Sequence, residues 1–455
     1  MRIGVIGTGY VGLVIGAGLA ELGHVVTCTD KDVCKIRMLQ QGGLPLYEPG
    51  LKELTEKHAS LGRLLFEEDT REAIKGAGVV FVAVGTEGLP DGRVDLNAVH
   101  EVGETVAKTM DSYVVIAIKS TVPVGTALSL FTLIREKQQR PTAFEVVSNP
   151  EFQREGSAVE DFFRPSRIII GTSDERARKI MREVYRPLLA AGIPLVQTTN
   201  EAAELAKYVS NAFLAVRISF INEVANLCDQ LSCDVQEVVR CVTLDPRIGG
   251  NFFQPGPGFG GSCFPKDTRA LVWQGQEKGA LLRILEAAVR VNEAQPGQVL
   301  KKVKFQLEPL SKRTVAILGL SYKANTDDVR ESPAIRVCEL LVREGAFLRA
   351  YDPMANENAR KVIPGEAIKF YENPYDACSG ADCLVVLTEW EEFKNLDLPR
   401  IKSLLRGNLI VDTRNVFRPD SVVQCGLVYE GIGRRADRSL HGMEVAGAGP
   451  FAPTL

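Results

Sequence analysis

Histidine is scarce in this chain. There are four in 455 residues, at positions 24, 58, 100 and 441, each isolated from the others. A histidine dyad or triad is therefore a poor choice for proton transfer, and a carboxylate or an ordered water has to serve as base. The ten cysteines (28, 34, 228, 233, 241, 263, 338, 378, 383 and 425) show no C-x-x-C and no paired spacing. That argues against both a zinc site and a disulfide framework, so no metal is expected. Excess charge of either sign is absent too: 54 basic and 57 acidic residues leave a net charge of -3. Nothing in that balance calls for nucleic acid or an anionic membrane as partner, and an anionic ligand would need its own local cluster of donors. Long hydrophobic runs are also missing. The apolar opening is interrupted by Gly4, Gly7, Gly9 and Gly12, then by Glu21 and His24, and has no cleavage pattern. The chain reads as cytoplasmic, without a signal peptide or membrane span.

What is present is a repeated grammar of short apolar strands and helices. The length suggests two or three domains. Residues 2–6 (RIGVI) form a buried-strand pattern that runs into a glycine turn and a helical segment, Leu13–Leu22. Further strands are expected at His24–Thr29, Val79–Val84, Tyr113–Ile118, Phe144–Val147 and Arg167–Ile170. Alternation of this kind predicts a parallel sheet covered on both faces. From Asn200 the texture changes: Glu201–Leu231 carries apolar residues at helical spacing without a glycine or proline and predicts one long helix. A second helical block covers Asp267–Asn292, Gln295-Pro-Gly297 predicts a turn, and Lys301–Arg313 a basic linker. The opening grammar returns with strands at Thr314–Leu318, Ala346–Tyr351, Cys383–Leu387 and Leu409–Val411. The expected fold class is α/β: two Rossmann-like, doubly wound units (residues 1–199 and 301–433) joined by a helical centre (200–300). Residues 434–455 read as a mobile tail.

Gly7-Thr-Gly9-Tyr10-Val11-Gly12 follows a strand and opens a helix, and the next strand closes at Asp30. The first glycine permits the tight turn, the second lets backbone approach a pyrophosphate, and the third allows close helix–strand packing. The helix N-terminus offers free N–H groups to phosphates, and Asp30 is placed for a ribose hydroxyl, which favours NAD over NADP. Lys35 nearby points the other way. The competing explanation is a glycine turn in an unliganded sheet, and the strand–turn–helix–strand–Asp context argues against it. The second α/β unit has Gly319-Leu-Ser-Tyr-Lys323 instead and is expected to bind a different ligand.

Lys207 and Asn211 are four apart, on one face of the long helix. An isolated pair of this kind is usually solvated. Here the flanks are apolar (AELAKYVSNAFLA), so the pair is a candidate for stabilising an oxyanion. Cys263 lies in GFGGSCFPKD. A buried, inert thiol is the ordinary fate of a free cysteine. Three glycines before it predict close approach by a ligand, and the helix opened by Pro265, with Lys266, predicts a stabilised thiolate. Asp267 could orient water or take a proton. Such a thiol beside a dinucleotide can trap an aldehyde as a thiohemiacetal and carry it to a thioester.

With these motifs in place, the chain resembles the nucleotide-sugar dehydrogenases that act on UDP-glucose, in order from Met1 to about Gly433. The carriers are GTGYVG at 7–12, KSTVPVGT at 119–126, SNPEFQREGSAVEDF at 148–162 and EAAELAKYVSNAFLA at 201–215. They continue with DPRIGGNFF at 245–253, GPGFGGSCFPKD at 256–267 and LSYKANTDDVRES at 320–332. The resemblance implies that Cys263 is the nucleophile and that Lys207 and Asn211 hold the oxyanion at sugar C6. Asp267 and Thr121 would position water, and Glu151 would assist thioester hydrolysis. NAD would meet Gly7, Gly9, Tyr10, Val11, Gly12, Asp30, Lys35, Thr86, Thr121, Glu155, Lys266 and Arg330. The sugar nucleotide would meet Glu151, Phe152, Gln153, Arg154 and Glu155, then Lys207, Asn211 and the strip Phe252, Phe253, Gln254, Pro255, Gly256. Gly260 and Lys323 complete that set, with Arg414 on the diphosphate and Arg247 reaching a neighbouring subunit's substrate. The long helix resembles a dimer core, so a homodimer or higher homo-oligomer is implied. Where the family usually has proline after the threonine at 86, this chain has Glu87, and Gln153 stands where leucine is common. The implied reaction is two successive NAD-dependent oxidations of UDP-glucose. The alternatives are another nucleotide sugar (GDP-mannose or a UDP-N-acetyl-hexosamine), or a binding protein that has lost catalysis.

Overall fold

The computed structural model describes residues 1–363 and 365–435. The expected tail lies outside the described residues except for its first two positions. Eight strands build the first sheet: β1 (Arg2–Ile6), β2 (Val25–Thr29), β3 (Leu64–Glu67), β4 (Val79–Val82), β5 (Val114–Ile118), β6 (Phe144–Ser148), β7 (Ile168–Gly171) and β8 (Leu195–Thr198). Their spatial order is β3-β2-β1-β4-β5-β6-β7-β8. All neighbours are parallel except β6 and β7, which meet antiparallel at Ser148 and Gly171, so the sheet is mixed rather than wholly parallel. Strands β1, β4 and β5 are nearly continuous Val/Ile runs because helices cover both faces. The opening helix, Tyr10–Glu21, lies tight on the sheet. A Cβ at Gly16 would stand 2.5 Å from Cys28 Sγ, and one at Gly18 would stand 2.3 Å from the Phe162 ring. The small residues therefore set how closely this helix packs.

The second sheet has six strands: β9 (Thr314–Leu318), β10 (Phe347–Tyr351), β11 (Ile368–Phe370), β12 (Cys383–Val386), β13 (Leu409–Asp412) and β14 (Val428–Gly431). They are ordered β11-β10-β9-β12-β13-β14, all parallel. The short edge strands β3, β8, β11 and β14 went unread in the sequence because they are brief and polar-flanked.

Between the sheets, the long helix covers Asn200–Leu231. Its apolar residues divide: Tyr208 and Ala212 are buried, while Leu205, Val209, Phe213, Phe220, Leu227 and Leu231 are exposed. The glycine loop leads into a helix at Phe264–Glu277, and a further helix spans Arg283–Leu307. This last element corrects two expectations. Gln295-Pro-Gly297 is not a turn, and residues 301–307 are helix, not linker; the boundary expected at 300 falls inside it. Interior proline costs a helix about 3 kcal/mol. Here the segment packs against the long helix, with Pro296 and Val299 buried, and tertiary burial outweighs that penalty. A buried ionic tie joins the parts: Lys302 Nζ lies 2.7 Å from Asp229 on the long helix and 3.0 Å from Glu430 on β14.

Candidate active site

In the first sheet the chain leaves β1 toward β2 on one side and returns to β4 on the other. That reversal creates a crevice at the carboxyl ends of the strands, where open α/β sheets bind ligands. A cavity of about 910 Å³ occupies it. It is walled by the turns after β1 (Gly7–Val11), β4 (Ala83–Glu87) and β5 (Lys119–Thr121), and by Glu151, Gln153 and Glu155 beyond β6. Asp30 and Lys35 stand at one end, and Ser262, Cys263 and Lys266 line it as well. Of the residues expected around NAD, all but Gly12 line this cavity. Gly12 is structural: a Cβ there would fall 1.9 Å from the Gly7 carbonyl oxygen. Above Gly9, by contrast, nothing lies within 4 Å of where a Cβ would be. This open cradle at a helix N-terminus suits a pyrophosphate, and the residues present fit a dinucleotide.

Asp30 holds the turn while keeping partial exposure. It accepts from Thr8 N at 2.7 Å, Thr8 Oγ1 at 2.9 Å and Asp32 N at 3.0 Å. Burial alone would raise its pKa; these bonds and Lys35 outweigh it and hold the carboxyl below its ordinary value. The corresponding acid of the second unit, Asp352, is fully buried. It accepts from Leu320 N, Ser321 N, Ser321 Oγ, Met354 N, Ala355 N and Trp390 Nε1, at 2.8 to 3.3 Å. No capacity remains for a ribose, which explains physically why the two α/β units are not equivalent. The second unit also roofs the cavity. Tyr10 Oη donates to Asp327 Oδ1 at 2.5 Å, and Arg330 sits over the Tyr10 ring at 5.9 Å.

Elements far apart in sequence converge around Cys263. Glu151 and Lys266 line the cavity with it, whereas the buried Lys207, Asn211 and Asp267 do not; Lys207 and Asp267 act on the thiol by charge. Lys207 Nζ is 2.9 Å from Glu151 Oε1. Asn211 Nδ2 donates to Asp267 Oδ2 at 2.7 Å, and Lys266 Nζ donates to Asp267 Oδ1 at 2.6 Å. Lys207, Asn211, Glu151 and Asp267 are all buried. Nearby charges keep Lys207 protonated: burial lowers its pKa, but Glu151 foremost and Asp267 raise it. Thr86 Oγ1 donates to the Thr121 carbonyl at 2.9 Å, joining two cavity walls. Glu204, one turn before Lys207, accepts from Gly125 N at 2.7 Å and Ala127 N at 2.8 Å. The long helix is thereby fixed to the loop that carries Thr121.

The thiol differs from expectation in two ways. Burial raises its pKa to about 11, Asp267 adds to this, and Lys207 opposes it. Lys266, expected to favour thiolate, is engaged by Asp267 instead. The resting group is a thiol. The glycines differ too. A Cβ at Gly260 would lie 2.3 Å from the Glu331 carbonyl oxygen, and Gly261, at φ +81°, would meet the Tyr322 ring at 2.8 Å. Protein rather than ligand presses on that backbone, and the loop before Ser262 is buried.

The substrate-side candidates divide. Glu155 faces Ser262 Oγ at 3.4 Å, with its Oε2 buried and unpaired. Burial and Asp328 raise its pKa to about 7 against Arg330 and Lys323. Phe152 lies beneath Arg167 at 3.7 Å and Lys207 at 5.3 Å. Gln153 N is bonded to Glu151 Oε2, and its own Oε1 is buried without a partner. Burial lowers the pKa of Lys323. Arg414 donates to the Leu387 carbonyl at 3.1 Å and the Tyr322 carbonyl at 3.0 Å, pairs by charge with Glu389 at 3.0 Å, and packs on Gly256. Phe252 and Phe264 rings stand 5.9 Å apart, and Phe253, Pro255 and Gly256 are buried. Three candidates are not brought in. Arg154 is tied to Asp161 at 2.7 Å, Gln254 bonds Gln236 at 3.1 Å, and Arg247 is exposed and paired with Asp245 at 2.6 Å.

Lys119 was missed. It is buried, donates to Asn149 Oδ1 at 3.0 Å and Tyr185 Oη at 3.4 Å, and lines the cavity. Burial lowers its pKa to about 7, with Glu151 opposing and Lys207 adding. The available signal was a lysine closing the apolar strand VVIAI.

Similar proteins agree with this geometry. Residues 1–189 match the NAD binding domain of the UDP-glucose/GDP-mannose dehydrogenase family, 201–294 its central domain and 316–419 its UDP binding domain. A UDP-glucose 6-dehydrogenase of Rhizobium meliloti is 47% identical over 439 residues, covering 95% of this chain and 100% of that protein. The solved UDP-glucose dehydrogenase of Pyrobaculum islandicum superposes with a TM-score of 0.88 at 40% identity, covering 95% of this chain and 97% of that one. A UDP-D-ManNAc dehydrogenase of Pyrococcus horikoshii gives 0.83 at 28% identity, covering 95% and 99%. With three family domains matched in order along a shared architecture, the chain belongs to the UDP-glucose/GDP-mannose dehydrogenase family.

Proposed function

We propose that this chain oxidises UDP-glucose to UDP-glucuronate in two NAD-dependent steps, through a covalent adduct on Cys263. The observation that carries this reading is that the crevice is lined by a thiol and a buried carboxylate, Cys263 and Glu151, which are joined by a charged lysine, a buried amide and a second buried carboxylate. NAD, when bound, supplies the hydride acceptor for both oxidations. The cradle of Gly7, Gly9 and Val11 would hold its pyrophosphate and Asp30 its ribose, with Tyr10, Lys35, Thr86, Thr121, Glu155, Lys266 and Arg330 around it.

The chain's own residues act at sugar C6. Lys207 and Asn211 donate to the oxygen there as negative charge develops. The Cys263 thiol adds to the aldehyde, its proton ending on that oxygen, to give a thiohemiacetal. After the second oxidation the adduct is a thioester. Water positioned by Asp267 and Thr121, with Glu151 drawing off a proton, cleaves it to acid and free thiol. A protonated resting thiol fits this order, since a nucleophile is needed only once the aldehyde exists. Phe252, Phe253, Pro255 and Gly256, with Lys323 and Arg414, would hold the UDP half, while Gln254 points away to Gln236 and Gly260 serves the packing of the loop against Glu331.

Arg247 would act only across an interface, and the exposed apolar row on the long helix supports a second copy of this chain as partner. The proposed enzyme is a cytoplasmic one; among the described residues no helix is long and apolar enough to cross a membrane. The test is NADH formed per sugar consumed, across a panel of nucleotide sugars. About two NADH per UDP-glucose is expected. Turnover of GDP-mannose or a UDP-N-acetyl-hexosamine with none of UDP-glucose would overturn the substrate, and binding without turnover would favour a non-catalytic role.

A further inference from the structure

The glycine loop contains little regular structure, yet four of its backbone polar groups end on side-chain amides from two helices. Gly256 N donates to Asn222 Oδ1 at 2.8 Å, and the Gly256 carbonyl accepts from Gln295 Nε2 at 3.1 Å. Phe259 N donates to Asn292 Oδ1 at 2.7 Å, and the Phe259 carbonyl accepts from Asn292 Nδ2 at 3.0 Å. Each residue is thus gripped at both its donor and its acceptor. Asn222 and Gln295 are almost wholly buried, and Gln295 is itself held by Asn226 Nδ2 at 3.2 Å. Asn292 and Gln295 are three apart, so they project from one side of their helix. Pro296, which follows, has no N–H for the Asn292 carbonyl, so the helical ladder is interrupted level with the loop. That carbonyl oxygen would lie 3.5 Å from a Cβ at Gly258.

A side-chain amide donates and accepts from one planar, uncharged group at every physiological pH, matching a peptide unit. A carboxylate at 292 would face the Phe259 carbonyl without a proton to give. An aliphatic side chain would orphan two backbone groups.

We propose that Asn222, Asn292 and Gln295 form an amide clamp whose role is to position the loop for the sugar-nucleotide half of the reaction. The clamp fixes residues 256–259, and the chain immediately beyond them carries Gly260 and Cys263. The three amides are positioning residues and do not themselves meet the reacting atoms. The role rests on the proposed function above, in which this loop contacts the sugar nucleotide and bears the nucleophile.

The test combines hydrogen exchange with kinetics on Asn292→Ala, Asn292→Asp and Gln295→Met in the full chain. In the absence of any ligand, exchange across residues 256–259 should accelerate at least about tenfold in each variant. The KM for UDP-glucose should rise by about tenfold while the KM for NAD stays within about twofold, because the clamp lies outside the dinucleotide crevice. Gln295→Met keeps side-chain length and serves if the Asn292 variants fail to fold. Faster exchange with both KM values unchanged would overturn the positioning role, and so would a parallel rise in both. Unchanged exchange would overturn the clamp itself. No turnover by the unsubstituted enzyme would sink the functional reading and the positioning role with it, while the exchange result would still decide whether the clamp exists.

Discussion

Lys207 Nζ stands 2.9 Å from Glu151 Oε1, with both side chains almost completely shielded from solvent. A buried pair of this kind is asymmetric: breaking it by removing one partner strands the other's charge, at a cost of about 3–5 kcal/mol. Lys207→Met should lower thermal stability and reduce kcat by at least about 10²-fold, because the oxyanion donor disappears as well. Glu151→Gln keeps an acceptor for Lys207, so its stability should fall less, while thioester hydrolysis slows and the acyl-enzyme accumulates. Intact-protein mass spectrometry during turnover would detect that species. Wild-type kcat in Lys207→Met would remove lysine from the proposed chemistry.

Cys263 should behave as a high-pKa thiol. Burial and Asp267 place its ionisation at about 11, so alkylation by iodoacetamide should climb steadily from neutral pH upward and level off only near that value. Peptide mapping separates it from the exposed cysteines at 34, 233 and 241. A plateau below pH 8 would contradict the geometry. In Cys263→Ser, the second oxidation or the release of acid should stall, leaving roughly one NADH per sugar or none.

Lys119 ties stability to pH. Its folded pKa near 7 lies below the ordinary 10.5, so the folded state binds this proton less readily than the unfolded chain. Its stabilising contribution is complete above the unfolded value and is lost as pH falls through about 7. Lys119→Met should therefore be more stable than the parent at pH 6–7, by on the order of a few kcal/mol, and the gap should close toward pH 10. Asn149 Oδ1 stays bonded to Tyr185 Oη at 2.6 Å in that variant. Urea midpoints measured at several pH values would show it. Curves that run parallel from pH 6 to 10 would refute the assignment.

Much of the fold was legible because local patterns and tertiary burial agree. Strands such as VVIAI and TVAIL are apolar throughout, and only a doubly covered sheet accommodates them. The helix through Pro296 was not legible, since proline's local penalty is visible in sequence and the packing that exceeds it is not. The same holds for the long helix. Its apolar spacing showed a helix, but nothing in the spacing told Tyr208, in the core, from Phe213, in the open.

For the site, the sequence by itself determined which chemistry was possible. Gly7-x-Gly9-x-x-Gly12 with Asp30 specifies a dinucleotide turn, and Lys207 with Asn211 must share a helix face, because both rules depend only on neighbours along the chain. Tertiary structure alone decided the partners and the protonation states. Asn211 meets Asp267 across 56 positions, Lys266 is engaged by that same carboxylate, and burial together with Asp267 leaves Cys263 as a thiol. The reason is physical: hydrogen bonds and desolvation depend on what long-range packing brings within a few ångströms.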